Sequence, residues 1–316
     1  MGNQDPNFNQ CWFLTGPTAS GKTSVAIPLA QQINAEIISL DSMALYRQMD
    51  IGTAKPTPAE QAQVPHHLIN VLNPDEESSI AFYIEQAAQA KLEIEDRGKQ
   101  VLFVGGTPLY LKALLRGMNE GPAPDPEFRA AVEAEVKTIG PAALHERLKN
   151  VDPLSAARIH PNDVRRVIRA LEVYHATGLP ISHTQLDFDE GYTAAETKVF
   201  VLNWPREQVH KRINARVDAM FEAGLVEETQ GLLEEYKALG TTALQAVGYR
   251  EVIEHLEGKI DLAEAINQVK AHTRQFAKRQ CTWYRSMEEC RYIDLTTTLD
   301  PIEIANQIVQ DASVEQ

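Results

Sequence analysis

Residues Gly16-Pro17-Thr18-Ala19-Ser20-Gly21-Lys22-Thr23 directly follow an apolar run, Cys11–Thr15, and open a helix-period segment, Thr23–Ile33. A GxxxxGK[ST] run in that strand-then-helix context reads as a phosphate-binding loop. Its glycines let backbone N–H groups approach phosphate oxygens, and the start of the following helix supplies partial positive charge. Lys22 places an ammonium on terminal phosphate oxygens, and Thr23 offers a hydroxyl to a Mg²⁺ that bridges them. The motif names a polyphosphate and leaves the reaction open.

Further apolar runs with strand character lie at Ile37–Leu40, Leu68–Leu72, Val101–Val104, Val199–Trp204 and Tyr292–Leu295. Helix-period segments separate most of them, at Ile80–Asp96, Leu109–Arg116, Pro205–Ala223, Leu225–Ala238 and Asp261–Ser286. That alternation predicts an α/β fold, a P-loop NTPase-like parallel sheet flanked by helices. Between Gly121-Pro122-Ala123-Pro124-Asp125-Pro126 and Gly178-Leu179-Pro180 there is no strand signal, so a helical insertion domain is expected there. The expected domains are a discontinuous core, 1–117 with 192–316, and an insertion, 118–191.

Composition narrows the class. Of 316 residues, 43% are hydrophobic and 23% charged, which excludes bulk disorder and a disulfide scaffold. No apolar stretch reaches the roughly 18 to 20 residues of a membrane helix. No positive n-region precedes Lys22, so export is not expected. Cys11, Cys281 and Cys290 show no CxxC spacing and are expected as reduced thiols in a cytoplasmic protein. The formal charge of −14 means that any nucleic-acid contact needs a segregated basic patch.

Asp41 lies just past the end of the Ile37–Leu40 strand, on the sheet edge where open α/β folds bind ligands. The residues alone leave three roles open for it: a Mg²⁺ holder, a general base, or a helix N-cap. The Val101–Val104 strand ends in Gly105-Gly106-Thr107 with no acid, which makes Asp41 the well-placed carboxylate. Gly105-Gly106 permits close backbone approach, and Thr107 is placed to cap the next helix or to bond a ligand.

Several segments then fall into one pattern: Trp12–Thr23, Asp41-Ser42, Met49-Asp50-Ile51-Gly52-Thr53-Ala54-Lys55-Pro56, Pro65-His66-His67-Leu68 and Val104–Thr107. Arg158-Ile159-His160-Pro161-Asn162-Asp163, Val247-Gly248-Tyr249-Arg250, and Thr273-Arg274-Gln275 with Lys278-Arg279-Gln280 continue it. Together, in order from about residue 11 to 286, they resemble the bacterial tRNA dimethylallyltransferases. That family moves a five-carbon allyl group from dimethylallyl diphosphate to N6 of the adenosine 3′ of a tRNA anticodon.

The resemblance implies a diphosphate leaving group in the loop Gly16–Thr23, with Mg²⁺ as cofactor and Thr23, with Asp41, as its candidate ligands. It implies Asp41 as the base and Thr107 and Arg216 as further catalytic residues. For tRNA it implies Asp41, Ser42, Met43, Ala44 and Thr107 near the target base, and Arg129 in the insertion. Arg165, Arg166, Val167, Ile168 and Arg169 form a second segment. Gln245, Ala246, Val247, Gly248, Tyr249 and Arg250 form a third, with Tyr249 expected to stack on an unpaired base. Arg274, Lys278 and Arg279 form the last. His-His is no metal spacing by itself, so His66 and His67 are read as structural. The expected species is a monomer with no membrane partner.

The basic segments fit that reading independently. Lys270 to Met287 contains no acidic residue but five positive charges, Lys270, Arg274, Lys278, Arg279 and Arg285, beside an apolar stripe of Leu262, Ile266, Val269, Phe276 and Trp283. A solvated helix face is the plainer account of the same charges. Arg212, four residues before Arg216, reads as part of such a face. Three rival readings stand beside the transferase. A small-molecule or nucleotide kinase uses the same loop but leaves the basic helix unexplained. An isopentenyltransferase acting on free adenine nucleotides has no need of the basic surfaces. A non-catalytic RNA-binding protein has no need of Lys22, Thr23 and Asp41.

Overall fold

The computed structural model describes residues 7–117, 121–185, 196–296 and 300–313. The expected insertion bounds at 118–120 and 186–191 therefore lie outside the described residues. The chain divides into two compact units, Met1–Leu115 with Tyr192–Gln316, and Arg116–Gly191.

The first unit opens with β1 (Trp12–Thr15), α1 (Lys22–Gln32), β2 (Ala35–Ser39), α2 (Pro58–Gln61), β3 (His66–His67), α3 (Ile80–Asp96), β4 (Gln100–Val104) and α4 (Pro108–Arg116). The second unit supplies α5 (Pro126–Ile139), α6 (Pro141–Val151), α7 (Pro153–Arg158), α8 (Val164–Thr177) and α9 (Ile181–Gln185). The first unit then resumes with β5 (Lys198–Asn203), α10 (Arg206–Glu222), α11 (Leu225–Glu235), α12 (Thr241–Leu244) and α13 (Tyr249–Leu256). It closes with α14 (Leu262–Arg285), β6 (Cys290–Asp294) and α15 (Pro301–Ser313). No described helix is long and apolar enough to cross a membrane.

The six strands form one all-parallel sheet in the order β3-β2-β4-β1-β5-β6. Alternate side chains enter two cores, which is why the strands read as near-continuous apolar runs. Phe13, Ile38, Phe103 and Val201 pack on one face, and Leu14, Ile37, Leu102 and Phe200 on the other. Burial of each such side chain contributes about 1.5–3 kcal/mol. The third strand departs from expectation. The ladder covers only His66–His67, and Leu72 makes a single bridge to Tyr46. Leu68 and Asn70 adopt φ of +58° and +60°, which breaks the extended run, although Leu68 and Leu72 still bury into the core.

Helix ends follow local chemistry. Ser79 caps α3 and Asp261 caps α14, each accepting the N–H three residues on, at 3.1 and 2.8 Å. Gly21, by contrast, gives α1 no side-chain cap. The ends of β1, β2 and β4 lead into the loop 16–21, Asp41 and Gly105-Gly106 at one edge of the sheet.

The second unit has its own core, built from Val132, Leu144, Leu148, Val167, Ile168 and Leu171. Asp125 caps α5, with Pro126 in its first turn. Val167 and Ile168, expected to meet RNA, place their side chains in this core; that expectation is corrected, because they are the apolar half of an amphipathic α8.

Candidate active site and basic surfaces

One cavity of about 480 Å³ opens at that edge of the sheet in the first unit. Its walls bring together Thr18, Ala19, Ser20, Gly21, Lys22 and Thr23 of the loop, Asp41 after β2, Gly105 and Gly106 after β4, and Arg212 and Arg216 of α10. Gly16 sits at φ +141°, and a Cβ there would fall 2.8 Å from the Leu202 carbonyl oxygen, so the loop leaves β1 only as glycine. Ala19 takes a left-handed φ of +62°. Its carbonyl accepts Arg212 Nε at 2.7 Å, and the next carbonyl, of Ser20, accepts Trp204 Nε1 at 2.9 Å, so two side chains hold this unusual turn in place. Arg212 also lies 4.7 Å over the Trp204 ring. The reading of Arg212 as a solvated surface residue is thereby corrected.

Lys22 Nζ donates to the carbonyls of Gly16 and Pro17 at 3.0 and 2.9 Å, inside its own loop. Burial lowers its ammonium to about 8, with Arg216 adding to the effect and Asp41 opposing it. Burial likewise lowers Arg216, again against Asp41. Ser20 Oγ is buried with no hydrogen-bond partner. The uncapped α1 terminus, two crowded cations and an unpaired hydroxyl converge on a volume suited to an anion.

Asp41 Oδ1 accepts the Met43 N–H at 2.9 Å in a local turn, and the α-helix expected of an N-cap does not follow. Thr107 Oγ1 accepts the Ser42 N–H at 3.2 Å, so its side chain fixes the Asp41–Ser42 corner across strands, while its carbonyl accepts the Leu111 N–H at the start of α4. Ala44 lines the cavity, as does Lys55. The Lys55 ammonium is held by the Tyr46 carbonyl, Asp50 and Asn70 at 2.7, 2.5 and 2.7 Å. Burial lowers Lys55, while Asp50 supports its charge. His66 borders the cavity, with Nδ1 2.7 Å from the Val64 carbonyl, and His67 pairs with Glu36 at 2.8 Å. Both are tied to structure.

The glycine pair does something narrower than the sequence suggested. A Cβ on Gly105 would collide with the Leu40 carbonyl oxygen at 2.2 Å, and one on Gly106 would fall 2.7 Å from Gln280 Nε2. The close approach is to Leu40, just after β2, and to α14.

The expected RNA-contacting residues divide sharply by burial. Tyr249 is 0% exposed and donates to Glu228 at 2.6 Å, with its ring against Gly52. It packs in the core and does not stack on a base, and Ala246 is buried too. Arg250 pairs with Glu251 at 2.6 Å and lies 3.0 Å from His272 Nδ1. On α14, Lys270 pairs with Asp218 at 2.5 Å, and Arg274 donates to Asn214 at 2.7 Å, both on α10. Lys278, Arg279 and Arg285 are exposed. The expected apolar stripe of α14 is also corrected. Leu262 and Phe276 are exposed, and the buried face is Ala265, Val269, Ala277, Gln280 and Tyr284.

In the second unit, Arg129 forks onto Glu172 at 2.7 and 2.8 Å, and Arg169 joins the same carboxylate. Glu172 is 0% exposed and also accepts the Asp125 N–H at 2.7 Å. Burial pushes this carboxyl up, but Arg129, Arg169 and the Asp125 amide outweigh burial and hold it at about 2. Arg166 is exposed and pairs with Asp163 at 3.2 Å.

Sequence reasoning missed Gln280, Glu228, Glu251 and Glu172. Gln280 Oε1 accepts the Thr18 N–H at 2.9 Å, and its Nε2 donates to the Gly106 carbonyl. Glu228 receives the amides of Asp50, Ile51 and Gly52 at 3.0, 2.8 and 3.3 Å. Glu251 receives the Gly248 amide at 2.8 Å and lies 2.7 Å from His272 Nδ1. Each is a polar residue on the buried face of a helix, and for Glu172 that signal was visible beside Val167, Ile168 and Leu171.

Comparison with known proteins converges on the same geometry. The IPP transferase family profile matches residues 44–287, and an isopentenyl transferase profile matches residues 9–70. A tRNA dimethylallyltransferase of Rhodopirellula baltica is 49% identical, covering 90% of this chain and 88% of the relative. The crystal structure of a full-length tRNA isopentenylpyrophosphate transferase from Bacillus halodurans superposes with a TM-score of 0.69 at 39% identity, covering 97% of this chain and 98% of that one. A eukaryotic dimethylallyltransferase described as acting on tRNA gives 0.76 at 28% identity, covering 98% of this chain and 81% of that one. With a phosphate loop, a facing carboxylate and relatives of this kind along nearly its whole length, the chain belongs to the tRNA dimethylallyltransferase family of IPP transferases.

Proposed function

We propose that this chain transfers the dimethylallyl group of dimethylallyl diphosphate to N6 of the adenosine immediately 3′ of a tRNA anticodon, releasing diphosphate. The observation that carries the reading is one cavity that joins the phosphate loop, Asp41 and Arg216 to an apolar wall of Ile37, Ile69, Val104 and Phe276. One end suits the diphosphate and the apolar wall suits a five-carbon group.

In the proposed step, N6 attacks the allylic carbon, the new C–N bond forms, and the C–O bond to diphosphate breaks with its electron pair. The α1 amides, Lys22 and Arg216 stabilise the charge that collects on the departing oxygens. The N6 proton, acidic only as the bond forms, passes to the Asp41 carboxylate. The target base leaves the anticodon-loop stack at low cost because the loop is single-stranded.

Thr23 and Asp41 line the same cavity and are hard oxygen donors. Among the described residues no group of three or more His, Cys, Asp or Glu gathers to hold an ion alone. The Thr23 hydroxyl fits a Mg²⁺ shared with the diphosphate, which would neutralise diphosphate charge, and Asp41 is left as the base. A tRNA substrate supports the reading of a cytoplasmic protein.

The test is diphosphate release. It should require dimethylallyl diphosphate and unmodified tRNA together and should not require ATP. ATP turnover with no need of the allylic donor would replace this reading with a kinase.

A further inference from the structure

Helix α14 carries two different surfaces. Lys278, Arg279 and Arg285 face solvent. Phe276, Gln280 and Tyr284, one turn apart, face the phosphate loop and its neighbours. Phe276 lines the cavity. Tyr284 is fully buried, with Oη 2.6 Å from Thr15 Oγ1, which donates to the Gly105 carbonyl at 2.9 Å. Between them Gln280, 3% exposed, accepts from the Thr18 amide inside the loop and donates to the Gly106 carbonyl after β4. A carboxamide is neutral and both accepts and donates, which this bridge requires. A Cβ on Gly106 would fall 2.7 Å from the Gln280 Nε2 and displace it.

We propose that Gln280 is a positioning residue that ties the shape of the phosphate loop to the seating of α14. RNA on the exposed basic face of α14 and an anion in the loop then strengthen each other's binding. The inference deepens the functional reading above and rests on it for the role of RNA. None of Lys278, Arg279 and Arg285 lines the cavity, whereas Gln280 lines it and reaches a loop amide and a strand-end carbonyl at once. Such a coupling acts equally in both directions.

The experiment uses the full chain with Mg²⁺ and inorganic pyrophosphate as the probe. Calorimetric affinity is measured with and without an unmodified anticodon stem-loop RNA, for the native chain and for Gln280→Met, which keeps side-chain length and loses both hydrogen bonds. The native chain should bind pyrophosphate about fivefold more tightly with RNA. Gln280→Met should bind it about tenfold more weakly without RNA, close to the loss of one well-placed hydrogen bond, and should show no RNA enhancement. Its affinity for RNA alone should be unchanged, and KM for dimethylallyl diphosphate should rise more than kcat falls. If Gln280→Met does not fold, Gln280→Glu, which accepts from Thr18 but cannot donate to Gly106, reads the same ratio. Native pyrophosphate affinity in the variant, or an RNA enhancement that survives in it, overturns the proposal, as does a native chain without enhancement. A native chain that transfers no allyl group but shows a Gln280-dependent enhancement would sink the functional reading and leave this inference standing.

Discussion

The phosphate cavity and the basic helices carry positive charge in opposite ways. Around the loop, Lys22, Arg212 and Arg216 share a cavity with Asp41, and burial depresses all three cations. That cluster holds more positive charge than its own carboxylate offsets, so an incoming anion completes it. On α5, α8 and α13 the arginines are already answered. Arg129 and Arg169 share Glu172, and Arg250 has Glu251, both carboxylates fully buried. A run of basic residues in a sequence is therefore a poor measure of cationic surface. In these segments several arginines set the shape of the surface, and on α14 the exposed Lys278, Arg279 and Arg285 are left to attract phosphates.

The sharpest break of that contrast is at Asp41. Asp41→Asn should slow transfer by about 100-fold or more while sparing diphosphate binding. Single-turnover transfer and a direct binding titration check it, and a loss of Mg²⁺-dependent diphosphate affinity would move Asp41 to a metal role. Next comes Glu172→Gln, which should cost the second unit about 1.5–3 kcal/mol, the loss of charge-assisted hydrogen bonds from arginines that can still reach water. Denaturant unfolding reads it, with diphosphate affinity unchanged. The pH dependence follows from Glu172 being held at about 2 against an ordinary 4.5. Its contribution is complete above the ordinary value and is lost as pH falls through that window toward 2. Unaltered stability with weaker RNA binding would place Glu172 and its arginines on the recognition side.

Smaller effects sharpen the account. Lys278→Ala with Arg279→Ala should weaken tRNA binding and flatten its salt dependence by about one unit of slope for each phosphate no longer neutralised. An unaltered slope in a salt titration removes this end of α14 from the interface. Tyr249→Phe should cost about 1 kcal/mol through the missing hydrogen bond to Glu228 and leave tRNA affinity alone.

The parts legible in the sequence are those written in local periodicity or in a fixed motif. The strand-loop-helix around Gly16–Thr23, the strand before Asp41 and the span of α3 come from neighbours in the chain. What stayed hidden depends on distant partners. The bonds from Gln280 to Thr18, from Glu228 to Asp50–Gly52 and from Arg212 to Ala19 join residues more than 160 positions apart, and no spacing rule announces them. Tyr249 shows the same limit. An aromatic beside an arginine reads equally as a base-stacking pair or as a core tyrosine, and Glu228 with Gly52 decides it.

The most direct test is to map the product. Dimethylallyl diphosphate labelled in its allyl group is incubated with the chain, Mg²⁺ and an unmodified tRNA, and the RNA is digested and sequenced by mass spectrometry. The account predicts label on N6 of the adenosine immediately 3′ of the anticodon in the native chain and little or none with Asp41→Asn. Label elsewhere, or none in the native chain, would contradict it.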